Sequence, residues 1–191
     1  EGRSGGIGLF WNNEIKIEIL GYSCYHLDVS VEESGQDIWR LTCVYGEAQT
    51  HLRHQTWTVM KNISTVSSLP WLCIGDFNEV LRPNEYDGIA RRSNAQMQAF
   101  RDTVDVCMLL DIGYKGRSWT WEKKVAGGII TALVLTEPWL WLVGRLFSLL
   151  LLSSTSQWQS QITVLYFWLP NLLIQVYVRN KNSSAMSACG N

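Results

Sequence analysis

The segment Trp71-Leu72-Cys73-Ile74-Gly75-Asp76-Phe77-Asn78 has the residue types and spacing best suited to chemistry. In an extended strand, residues two apart project to the same side, so Asp76 and Asn78 face one site while Phe77 turns into the core. Gly75 lets the backbone bend and a bulky ligand come close. A carboxylate and a carboxamide so placed suit an oxygen-rich cluster around a phosphate and a hard cation such as Mg2+. The carboxylate can take a proton from an attacking water, and the amide NH2 can donate to a phosphate oxygen. The same residues also suit a plain Asx turn that caps the segment that follows. Taken alone, the string GDFN favours that turn, because four-residue motifs recur by chance.

The elements that must position this pair are legible as alternating strands and helices. GIGLFW and EIKIEIL read as strands, the second with Ile15, Ile17 and Ile19 on one face and Lys16 and Glu18 on the other. HLDVSVE continues in period two, and Ser34-Gly35-Gln36-Asp37 marks a turn before the strand IWRLTCVYG. Helical spacing runs from His51 to Ser64, with Trp57 and Met60 apolar and Lys61 and Ser64 polar, and Pro70 ends the stretch. PWLCIGDF then has the pattern of a buried strand whose end carries a functional loop. Ser93 to Leu110 predicts a helix: Ser93 can cap it, and Met97, Phe100, Val104, Cys107 and Met108 recur at three-to-four spacing. LLDIGYKGRSWTWEKK gives a loop and a strand with Trp119 and Trp121 on one face. Meander strands with intervening helices predict an α+β layered fold with mixed sheets and helices outside them.

Bulk properties narrow the field. The chain's 191 residues allow one domain with a sizeable core. A net charge of -1 provides no basic footprint for nucleic acid. Cys24, Cys43, Cys73, Cys107 and Cys189 show no paired or zinc-binding spacing, which predicts a reducing compartment, nuclear or cytoplasmic, and no disulfide framework. The opening EGRSGGIGLFW has no signal-peptide layout and reads as the start of a fragment from a protein that is not secreted. His26, His51 and His54 read as surface or loop residues.

A run of motifs changes the weight given to GDFN. SGGIGLFW, WRLTCVYGEA, PWLCIGDFNEVL with Arg82 and Asp87-Gly88, then MQAFRDTVDVCMLLDIGYKGRSWTW and Lys123-Lys124 follow one another over residues 4 to 128. In that order and spacing the chain resembles the endonuclease/exonuclease/phosphatase superfamily. Within it, the resemblance is to the apurinic-type endonuclease domain of plant LINE (non-LTR) retrotransposons, incomplete at both ends. The resemblance implies part of a four-layer α/β sandwich, DNA as partner, Mg2+ as cofactor and phosphodiester hydrolysis as the ancestral reaction. It assigns Asp76 to orienting or deprotonating the nucleophilic water, Asn78 to holding the phosphate, and Tyr45 to approaching it. Asp76 is also the one metal ligand it offers. Ser118, Trp119 and Trp121 match a strand near the nucleic-acid groove. Lys115 and Arg117 are candidate phosphate contacts, with Arg91, Arg92, Lys123 and Lys124 behind them. No protein partner follows from it.

Other parts of the family pattern are missing. Its metal-site Asn and Glu would precede Glu1, and an RLDRA-like string and a final SDH should follow Gly128. Instead only 4 of the 33 charged residues (Glu137, Arg145, Arg179 and Lys181) lie beyond that point. The codon table suggests a cause. Val134 to Trp139 can be written so that the frame two bases later spells LDRAM, and Gln161 to Tyr166 so that the same frame spells DHCP. Residues 129–191 are therefore expected to be a frameshift-derived apolar tail and not a true domain, after a partial nuclease domain at 1–128. The chain is then expected to be an inactive remnant. The alternatives are a nucleic-acid-binding module without catalysis and a membrane-associated protein. Against the last, TEPWLWLVGRLFSLLLL is short of the ~20 apolar residues a spanning helix wants. Arg145 interrupts it at a cost of about 3 kcal/mol.

Overall fold

The computed structural model describes residues 6–86 and 92–111 with their side chains, together with the backbone of Asp87 and of strands at 121–124, 130–133, 139–141, 162–169 and 172–179. Four strands come first: β1 (Gly6–Trp11), β2 (Ile15–Tyr22), β3 (His26–Glu33) and β4 (Trp39–Tyr45). After a 3-10 turn at Thr50–Leu52, helix α1 (Arg53–Ser64) leads to β5 (Trp71–Asp76), short β6 (Tyr86–Asp87), α2 (Asn94–Val106) and short β7 (Leu110–Asp111). The described part of the remaining chain is β8 (Trp121–Lys124), β9 (Ile130–Leu133), β10 (Trp139–Trp141), β11 (Ile162–Leu169) and β12 (Leu172–Arg179).

The main sheet has the order β2-β3-β4-β5-β10-β7. Within it β4 and β5 run parallel, joined by the α1 crossover, and every other neighbouring pair is antiparallel. A second sheet has the order β1-β12-β11 and a third β6-β9-β8.

Strand alternation explains the layers. Val29, Val31, Leu41, Cys43, Leu72 and Ile74 project from one face of the main sheet into a buried cluster, against which Ile7 and Leu9 of β1 pack. The other face carries Val44, Trp71 and Cys73 into a second cluster with Trp57 and Met60 of α1 and Phe100 and Val104 of α2. Trp57 stacks on Phe100 with ring centroids 4.6 Å apart, and Phe77 tilts against Phe100 at 5.6 Å. Each such side chain, once buried, contributes roughly 1.5–3 kcal/mol. Helices, main sheet and second sheet make three layers, the α+β sandwich that the alternation predicts.

Several local expectations meet corrections. Helix α2 stops at Val106, because Met108 takes the left-handed conformation with φ 55°. Met108 N–H donates to Asp105 O at 2.9 Å and Leu109 N–H to Val104 O at 3.0 Å, the paired bonds of a Schellman ending. Met108 is thereby exposed, while Leu109 folds back into the cluster with Val104. Ser93 stands at the N-cap without a side-chain capping bond. Ile15 is buried, but Ile19, next to the irregularity in the pairing of β2 with β3, is 63% exposed. His51 and His54 are exposed as expected, whereas His26 is buried in β3, where its Nδ1 lies 2.7 Å from Ser23 Oγ. Cys43, Cys73 and Cys107 are free and buried, but Cys24 is disulfide-bonded, contrary to the expectation of no disulfide. No helix among the described residues is long and apolar enough to cross a membrane.

Candidate active site

The parallel pair fixes where the singled-out residues meet. Tyr45, the last residue of β4, is register partner to Asp76, the last of β5. Residues opposite one another share a face, so both side chains leave the main sheet on the side of the second sheet, at its rim. Tyr45 is half-buried and packs against that cluster, and its N–H donates to Tyr25 O at 2.8 Å. Two glycines let the strand ends come this close. A Cβ on Gly75, which has φ 145°, would lie 2.0 Å from Val44 O, and one on Gly46 would lie 2.5 Å from Phe77 O. Neither position has room for a side chain. With that space empty, Gly46 N–H donates to the backbone oxygen of Asp76 at 2.6 Å and ties the strand ends together.

Beyond β5 the chain makes the turn that the sequence allows as a bland alternative. Asp76 Oδ1 accepts the backbone N–H of Asn78 at 2.9 Å, an Asx turn. Asn78 takes φ 55°, a left-handed conformation that asparagine tolerates better than most residues. Its Nδ2 donates to Gly46 O at 2.7 Å, which leaves one amide hydrogen uncommitted by that bond. Phe77 points the other way, into the helix-side cluster, as the spacing predicts. The turn consumes only one carboxylate oxygen. Asp76 is fully buried and its Oδ2 has no hydrogen-bond partner. An unpaired buried acceptor is rare and calls for a physical explanation. The Asx turn and an available carboxylate oxygen therefore coexist in one residue.

Charges surround this carboxyl. Arg53, the first residue of α1, donates from Nη1 to Glu79 Oε2 at 2.6 Å, and both side chains are buried. Glu79 Oε1 accepts the N–H of Val80 at 3.1 Å and lies 3.6 Å from Nη1 of Arg92, whose guanidinium sits over the Tyr86 ring at 5.1 Å. Burial raises the pKa of Asp76 from 3.8 to about 7; the Asn78 N–H bond and the positive charges of Arg53 and Arg92 hold the rise in check. A carboxyl so poised can carry or accept a proton near neutrality.

No protein-family model and no curated protein matches the sequence. Among solved structures, the chain is similar to the "Endonuclease domain of TRAS1, a telomere-specific non-LTR retrotransposon", with a TM-score of 0.58 at 9% sequence identity. The match covers 93% of this chain and 81% of that one. The chain has that domain's fold. Residues 1–128 make up 67% of the 191 (128/191), so the superposition extends past Gly128, where β9 to β12 join all three sheets.

The donor set can be tested against Mg2+. A hard divalent cation wants oxygen ligands, with one or two carboxylates among them. Asp76 offers one unused oxygen, while the Glu79 carboxylate is engaged by Arg53 and the Val80 N–H. Two guanidiniums beside Asp76 oppose a cation. Among the described residues no group of three ligating side chains converges. These residues do not by themselves fit a protein-held Mg2+ site.

Of the expected nucleic-acid contacts, Lys115, Arg117, Ser118 and Trp119 lie outside the described residues, as does Arg91, and Trp121 is described only as backbone at the start of β8. Arg92 is 19% exposed beside Glu79. Sequence reasoning missed Arg53 and Glu79. Their pairing spans 26 positions and leaves no local periodic trace; the one signal was a glutamate directly after GDFN.

Proposed function

We propose that the chain descends from the Mg2+-dependent DNA endonuclease of a non-LTR retroelement of the plant LINE branch, and that as given it does not cut DNA. One observation carries this reading: Asp76 ends its strand beside Tyr45 with a buried, unpaired carboxylate oxygen, in a turn that also presents Asn78. In the ancestral reaction Asp76 Oδ2 accepts a proton from the attacking water, and the remaining amide hydrogen of Asn78 donates to a phosphate oxygen. Mg2+ belongs to that lineage, where it offsets charge on the phosphate. Here Asp76 offers one unused oxygen, the neighbouring Glu79 carboxylate is engaged by Arg53, and the chain as given has no histidine after His54 to return a proton to the leaving group.

A supercoiled plasmid incubated with the purified chain and Mg2+ is the test. We expect no nicking above that of an Asp76→Ala variant. Turnover that Asp76→Ala abolishes would show a working nuclease, and salt-sensitive DNA binding without nicking would favour a binding module. We further propose that residues 129–191 arose by a shift of reading frame. That proposal rests on codon matches and on the loss of charge after Gly128, independently of the strands formed there. The coding nucleotides decide it, since the two-base offset must spell LDRAM and DHCP.

A further inference from the structure

The buried guanidinium of Arg53 touches both loops that build the site. Its Nη1 bonds Glu79, the residue after Asn78, at 2.6 Å. Its Nη2 donates to Ala48 O at 3.3 Å, in the loop that follows Tyr45 and Gly46. Those loops are otherwise joined by Gly46 N–H to Asp76 O and by Asn78 Nδ2 to Gly46 O. The chain at Asn78 is left-handed without being glycine, a conformation that persists only where its surroundings hold it. Arg53 is 7% exposed, and the hydroxyl of Thr56, further along α1, accepts the N–H of Glu47 at 3.0 Å and so fixes the first loop to the same helix. After both of its contacts are made, Arg53 Nε remains buried and unpaired, as does Asp76 Oδ2.

We infer that Arg53 is the positioning residue of the candidate site, a planar fork fixed on α1 that clamps the loop after β4 to the loop after β5 and so holds Asp76 and Asn78 in their geometry. A fork with separate donors can bond two loops at once, which the single ammonium of a lysine cannot do with the same planar geometry. The inference rests on the nuclease reading only for what the geometry is used for; the clamp is a property of the folded chain.

Amide hydrogen exchange of the full chain tests it without reference to DNA. In Arg53→Gln and Arg53→Lys, exchange at the Gly46 and Asn78 N–H groups should quicken about tenfold, while Val29 and Leu41 in the central strands keep their rates. If Arg53→Gln does not fold, Glu79→Ala removes the acceptor that Arg53 holds and should give the same localised quickening. Restoration of native rates by Arg53→Lys would mean that charge alone matters and overturn the clamp. An equal rise at every amide would make Arg53 a general stabiliser, and no change at Gly46 and Asn78 would remove its role; either result also overturns the inference. The localised signature would sustain the clamp whether or not the chain nicks DNA, so the clamp and the proposed function can fail separately.

Discussion

The two ends of the parallel pair β4 and β5 each bury an arginine with a carboxylate, and they treat them differently. At the entry to β4, Arg40 is wholly satisfied. Its Nε and Nη2 bond Asp28 at 2.9 and 2.7 Å, and its Nη1 donates to Ile63 O at 2.9 Å. The guanidinium lies 4.7 Å from the Trp71 ring, Thr42 donates to Asp28 at 2.7 Å, and Trp71 Nε1 donates to Thr42 at 2.7 Å. No buried atom of that network lacks a partner. At the exit, Arg53 and Asp76 each keep an unpaired buried atom. A buried polar network that closes on itself stiffens a fold, whereas one left open has capacity for a ligand.

The largest effect should come from breaking the closed network. Asp28→Ala strands a buried guanidinium and should cost about 3–5 kcal/mol in urea unfolding. A loss below about 1 kcal/mol, the worth of a solvated pair, would mean that the contrast between the ends is false.

Next comes the open end. Asp76 has a folded-state pKa raised from 3.8 to about 7, so protonation favours the native state. Its contribution is fully present below about pH 4 and is lost as pH rises through 7. Asp76→Asn keeps an acceptor for the Asn78 N–H and removes the charge. The variant should match the native chain near pH 4 and exceed its stability at pH 8 by up to roughly 4 kcal/mol, since each tenfold change in proton affinity corresponds to about 1.4 kcal/mol. Equal stability at both pH values would show that Asp76 is not desolvated.

The smallest effect belongs to the exposed pair Lys16–Glu32, 3.0 Å apart across β2 and β3. Lys16→Met should leave stability almost unchanged, because solvent screens exposed pairs. A loss as large as that of Asp28→Ala would remove burial as the variable that separates these pairs.

The sequence exposes these features unevenly. Alternation locates β1 to β5, and helical spacing locates α1 and α2, because side-chain period depends only on local geometry. Phe77 turned into the core is legible for the same reason, but Asn78 follows the end of β5 in a left-handed Asx turn, not in the extended strand that period-two spacing assumes. Alternation also misleads. His26, Asp28 and Ser30 alternate with Leu27, Val29 and Val31 as a solvent face would, but His26 is buried against Ser23 Oγ and Asp28 is buried between Arg40 and Thr42. Arg40 and Arg53 find partners 12 and 26 positions away, and such distances leave no periodic imprint. Met108 continues the spacing of α2 but ends the helix, since a Schellman turn depends on bonds that spacing does not encode.

The most direct measurement is the titration of the Asp76 carboxyl, followed by 13C NMR in the intact chain. A midpoint near pH 7 is the predicted result, from a buried carboxyl with one oxygen bonded to Asn78 and the other unused. A midpoint of about 4, that of an ordinary solvated aspartate, would contradict it and leave the proposed site as a turn.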